Sequence, residues 1–97
     1  MAVPGDSTVQ LLNGLFQDGV ESAVVLMRHS AREFTPGRHD LANPLTEEGR
    51  ELARRLGAQL PGGLKVRGYA SPPERCMETA ELVLAGYASA EIGRAHV

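Results

Sequence analysis

Ala23-Val24-Val25-Leu26-Met27-Arg28-His29-Ser30-Ala31-Arg32 sets five apolar residues directly before a cluster of two arginines and a histidine. A run this short and this rich in Val and Leu reads as a buried strand, from about Ser22 to Met27. In open α/β sheets, chemistry collects just beyond the carboxyl ends of the strands. Arg28, His29 and Arg32 therefore stand where a site is expected.

Upstream, Asp6 or Ser7 can cap a helix, and Val9, Leu12, Leu15 and Phe16 fall near one helical face. Asp18-Gly19 is a stop signal, with Gly19 suited to a left-handed position after the last turn. Downstream, Arg28 to Pro44 carries Pro36, Gly37, Asn43 and Pro44 without a hydrophobic period and reads as a long loop, of the kind that is usually functional or disordered. Arg28, Arg32 and Arg38 against Glu33 make this loop locally positive within an acidic chain. Any anion binding is therefore expected to be local. Thr46 then caps a second helix, with Glu47 and Glu48 complementing its dipole and Pro61-Gly62-Gly63 ending it. Leu45, Leu52, Leu56 and Leu60 are expected on its buried side. Arg50, Arg54 and Arg55 interleave with Glu47, Glu48 and Glu51 as a solvated, ion-paired face.

A second strand is expected from about Leu64 to Ala70. Ser71-Pro72-Pro73-Glu74 then reads as a capping box, with Ser71 at N-cap, Pro72 at N1 and Glu74 at N3 of a third helix. Cys76, Met77, Ala80, Val83 and Leu84 would form that helix's buried side. The cap sets Arg75 in the first turn, beside free amides that already favour an anion. Ala88 to Val97 has no apolar period. The last seven residues, 91–97, are expected to be a non-native tail, because one permitted codon choice for them spells a string like a common sequencing-library adapter. The order α-β-α-β-α implies a partial α/β sheet with parallel strands joined by right-handed crossovers.

Ninety-seven residues allow one domain, near the lower end of the usual size range. A net charge of −2 supplies no global field to recruit nucleic acid or an anionic membrane. The four aromatics lack the interleaved basic residues of a nucleic-acid platform. The single cysteine, Cys76, excludes an internal disulfide and reads as a small residue on a helix. No signal-peptide pattern opens the chain and no window is apolar enough to span a bilayer, so a soluble cytoplasmic protein is expected. His29, His39 and Cys76 have no metal-ligand spacing, and His39 beside Asp40 reads as an exposed loop residue. Neither glycine-rich phosphate loop motif is present.

A histidine held among arginines suits phosphoryl transfer through a covalent phosphohistidine. Arginine stays charged and presents planar paired donors to phosphate oxygens. Three arginines would offset a phosphate dianion and the charge spread over its equatorial oxygens in the transition state. The same positive charges disfavour the imidazolium, which keeps a ring nitrogen free to attack.

Three stretches together resemble the histidine phosphatase superfamily, which includes phosphoglycerate mutase-like enzymes. Leu26-Met27-Arg28-His29 is similar to its strand-ending Arg-His signature, with His29 in the place of the phosphorylated nucleophile. Asn43-Pro44-Leu45-Thr46-Glu47-Glu48-Gly49 resembles its Leu-Thr-x-x-Gly segment. Ser71-Pro72-Pro73-Glu74-Arg75-Cys76-Met77-Glu78-Thr79-Ala80 resembles its Ser-x-x-x-Arg-Ala-x-x-Thr-Ala segment, with Arg75 as the second phosphate clamp. The three occur in family order over roughly residues 22–86. Two departures stand out: Ser30 replaces the usual glycine after the histidine, and the glutamate that follows this motif in many mutases is absent. Arg32, at the third position after His29, matches the acid-phosphatase branch, whereas the later segments look more like the mutase branch.

The resemblance implies a three-layer, phosphoglycerate mutase-like α/β sandwich with a mainly parallel sheet, of which only the N-terminal part is present. Residues 1–90 would be a partial histidine phosphatase domain. The implied activity is that of a phosphatase, a phosphoric monoester hydrolase. His29 would be catalytic, Arg28, Arg32 and Arg75 would bind phosphate, and Asn43 is a candidate substrate contact. Arg28, His29 and Arg75 are expected to converge. No metal or organic cofactor is implied, and the partner would be a small phosphorylated substrate or a phosphoprotein. The family's second histidine and acidic proton donor lie beyond this chain, and His96 does not stand in a matching context. The chain alone is thus expected to be marginally stable and nearly inactive. The alternatives are a phosphate-binding module without turnover, or a phosphomutase.

Overall fold

A computed structural model describes residues 5–28, 30–32 and 43–95, without the side chains of the last two. Three helices make up its regular structure: α1 (Asp6–Gln17), α2 (Glu47–Gln59) and α3 (Glu74–Ala95). Helix α1 begins after Gly5, whose φ of 94° is left-handed, so Gly5 takes the N-cap place expected of Asp6 or Ser7. It buries Val9 and Leu12, and Asp18 closes it by donating its amide to the Gly14 carbonyl. The expected stop holds: Gly19 follows with φ 93°.

Helix α2 starts as its sequence dictates. The Thr46 hydroxyl accepts from the Gly49 amide at 2.9 Å, satisfying one of the free donors of the first turn. Its buried face, however, is not the leucine stripe alone but a row of small residues, Gly49, Ala53 and Gly57, with Leu56 beside them. Rows spaced by four residues form the ridges along which helices pack. Small residues there let α3 approach to backbone distance. A methyl at Gly57 would overlap the Val83 carbonyl, and one at Gly86 would overlap the Arg54 carbonyl.

Helix α3 departs from its expected boundaries at both ends. It begins at Glu74, and the amides of Cys76 and Met77 donate to the Pro73 carbonyl, so the cap lies two residues beyond Ser71. It also runs on through the aperiodic stretch to Ala95. Its buried row is Arg75, Thr79, Gly86 and Tyr87, whereas Met77 is exposed and Cys76, Ala80, Val83 and Leu84 are half-buried. Within α2, Arg50 pairs with Glu47 at 3.1 Å, and across the α2–α3 face it pairs with Glu78 at 3.3 Å. Desolvation lowers the Arg50 pKa, but its hydrogen bonds and the charges of those two carboxylates outweigh this and raise it overall. Arg54 pairs with Glu51 on the exposed side of α2.

The expected three-layer sandwich with a mainly parallel sheet is not found. Among the described residues, β-pairing is confined to one antiparallel bridge, Arg32 with Leu45. The two expected strands form no ladder and carry no regular structure, and Val24 and Leu26 are 97% and 98% exposed. The physical reason is that a helix satisfies its backbone internally, while a strand needs neighbours. Parallel strands in particular are found with both faces covered, and two strands alone are marginal. In the second stretch a side chain takes the ladder's place: the Tyr87 hydroxyl accepts from the Leu64 amide at 2.7 Å and donates to its carbonyl at 3.1 Å. Further along, Gly68 lies against Leu84 and Ala80 of α3.

Candidate functional site

The short segment Ser30-Ala31-Arg32, which follows His29 in the chain, is held against both α2 and α3. Each tie uses a group that the local sequence provides. The Ala31 carbonyl accepts from the Thr46 amide at 2.9 Å and from the Thr46 hydroxyl at 3.4 Å, so the residue that caps α2 also grips this segment. Gly49, one turn into the helix, leaves room for that carbonyl, because a Cβ there would overlap it. This explains why a Leu-Thr-x-x-Gly pattern is needed: the threonine binds the neighbouring backbone and the glycine admits it. The Ser30 hydroxyl donates to the Gly49 carbonyl at 2.6 Å, so the serine that replaces the usual glycine makes its own bond to α2.

On the α3 side, the Thr79 hydroxyl accepts from the Ser30 amide at 3.1 Å and donates to the Arg75 carbonyl at 2.7 Å. Thr79 lies one helical turn after Arg75, about 6 Å along the axis. One hydroxyl thus links the Ser30 amide to the backbone of the turn that carries Arg75. Thr79 and Arg75 are both buried, at 4% and 6% exposure. Arg75 sits in the first turn of α3, where amide groups and the helix dipole favour an anion.

The remaining candidates fall as follows. Arg32 is half-buried and bridged to Leu45, whose neighbour Asn43 is buried at 2% exposure. This brings Asn43 to the strip of chain paired with residue 32. Arg28 lies in the exposed stretch without regular structure that follows α1. His29, the candidate nucleophile, and His39 lie outside the described residues, so the expected meeting of His29 with Arg75 falls beyond the geometry described. A separate groove of about 380 Å³ between α2 and α3 is lined by Glu51, Arg54, Ala85, Gly86 and Ser89, and none of the candidate site residues borders it. Among the described residues no cluster of His, Cys, Asp or Glu is arranged to hold a metal ion. No helix among them is long and apolar enough to cross a membrane.

Sequence reasoning missed Thr79 and Gly49 as contributors to this arrangement. Both stood inside the quoted motifs. The signal was their fixed spacing, four residues after Arg75 and three after Thr46, which is the spacing of one helical turn.

Comparison with known proteins is consistent with these motifs. No curated protein and no solved structure matches the chain. The sequence profile of the histidine phosphatase superfamily (branch 1) matches residues 24–93, which include the arginine–histidine cluster, the α2 cap and the Arg75–Thr79 turn. The chain therefore belongs to the histidine phosphatase superfamily.

Proposed function

We propose that this chain carries the nucleophile and phosphate clamp of a phosphoric monoester hydrolase that works through a phosphohistidine on His29. Superfamily membership supports a phosphatase- or mutase-like function. The observation that carries the finer reading is the Ser30–Thr79–Arg75 chain of hydrogen bonds. It ties the residue after His29 to the helix turn that presents a buried arginine at an N-terminus.

A neutral imidazole nitrogen of His29 attacks phosphorus. The P–N bond forms as the P–O ester bond breaks, and the ester oxygen leaves with the electron pair and takes up a proton. Water then attacks phosphorus, the P–N bond breaks, the water gives up a proton to solvent, and inorganic phosphate departs with neutral imidazole restored. Arg28, Arg32 and Arg75 hold the equatorial oxygens, whose charge is greatest during transfer. Asn43, buried on the segment bridged to Arg32, is the candidate substrate contact. The substrate is a small phosphorylated compound or a phosphoprotein.

The test is labelling with a radioactive phosphoryl donor. Acetyl phosphate is suitable, because acetate leaves without help from a general acid. The expected product is label that is stable to alkali, lost in acid and absent from His29→Ala. Label that persists in His29→Ala refutes the assignment. Phosphate binding without any label assigns a binding module instead.

A further inference from the structure

We propose that Thr79 is a positioning residue for the phosphoryl-transfer step, acting through the hydrogen bonds by which its hydroxyl joins the Ser30 backbone to the helix turn that carries Arg75. The inference rests on the proposed role of His29. It starts from one side chain with two partners in different parts of the site. Thr79 Oγ1 accepts from the Ser30 amide at 3.1 Å and donates to the Arg75 carbonyl at 2.7 Å.

A peptide plane ties an amide rigidly to the α-carbon before it, so holding the Ser30 N–H restrains the backbone on which the preceding side chain is mounted. The other end of the relay is equally stiff, because Arg75 and Thr79 belong to consecutive turns of one helix. A threonine that bonds back to the carbonyl four residues earlier has its rotamer fixed by that bond. Its oxygen lone pair is therefore aimed before Ser30 docks. The second anchor of Ser30, its hydroxyl on the Gly49 carbonyl, comes from α2 and acts from another side. The segment is triangulated between two helices, and Thr79 is the leg that leads to the phosphate clamp. Misplacing reacting groups by about 1 Å can cost about a hundredfold in rate.

Thr79→Val keeps the shape and removes both hydrogen bonds, whereas Thr79→Ser keeps the hydroxyl and removes only a methyl. The full chain and both variants are labelled with acetyl phosphate, and inorganic phosphate binding is titrated by calorimetry. In Thr79→Val the labelling rate is expected to fall by about ten- to a hundredfold, with phosphate affinity changed less than about threefold. Thr79→Ser should label within about threefold of the parent chain. A purely structural role would lower binding and labelling together, and serine would not rescue them. Thr79→Val labelled at the parent rate overturns the positioning role while leaving the phosphohistidine reading intact. No label on His29 in the parent chain overturns both. Should Thr79→Val lose its helical circular dichroism, the Ser30 amide in the parent chain decides. Slow hydrogen exchange there that persists in Thr79→Ser supports the relay, and open-chain exchange rejects it.

Discussion

Replacing Gly57 by Ala probes the contact that brings α2 and α3 together. A methyl at this position would run into the Val83 carbonyl and the Tyr87 amide. These are backbone atoms inside a helix and cannot swing aside as a side chain would. Two effects oppose each other. Alanine is favoured over glycine in a helix interior by about 1 kcal/mol, and overpacking a close contact costs about 1–3 kcal/mol. Because only a shift of the whole helix relieves the clash, the upper part of that range applies, and the net loss is about 1–2 kcal/mol. Gly86→Ala meets the Arg54 carbonyl at the same crossing and should cost a similar amount. The double variant should cost about as much as the worse single, since one separation of the helices admits both methyls. Gly14→Ala is the control. Nothing lies within 4 Å of its Cβ, so propensity acts alone and stability should rise by about 1 kcal/mol. Urea unfolding followed by far-UV circular dichroism measures all four. A Gly57→Ala midpoint at or above that of the parent, or fully additive losses in the double variant, would refute the close-approach argument.

Two further expectations follow from single side chains. Thr46→Ala removes the α2 cap and a hydrogen bond to Ala31 together, and should lower stability by about 1–2 kcal/mol. The same urea series checks it, with Thr46→Ser expected to restore most of the loss. Tyr87→Phe removes both bonds to Leu64, at a cost of about 1–2 kcal/mol. Hydrogen exchange at the Leu64 amide should then accelerate, and an unchanged rate would contradict the structure.

The parts of this architecture that could be read from sequence are those whose energetics are local. Thr46 caps α2 because the partner amide is three residues away, and Asp18-Gly19 stops α1 because the last carbonyls are within one turn. The two apolar stretches do not pair as strands, because their composition reports a preference for pairing, not the presence of a pairing partner. Tyr87 takes both backbone groups of Leu64, and nothing at Leu64 itself announces this. The buried faces differ from the apolar stripes for a related reason. Large apolar residues mark a helix face as greasy, but the α2–α3 crossing is set by small ones, Gly57 and Gly86. At the site, Arg75 and Ser30 each stand in a legible motif, but their connection through Thr79 spans 49 positions between the amide and the hydroxyl. No local period encodes that.

The grip on Ala31 is made through its carbonyl oxygen, an atom that every amino acid carries, while its side chain is exposed. Selection on this contact therefore acts unevenly. Position 31 is open to drift among chemically different residues, because none of them alters what Thr46 binds. Position 49 bears the constraint in its stead, since any side chain there would evict its neighbour. In lineages sharing this arrangement, variation should accumulate at the residue that is held and be purged at the one that makes way for it.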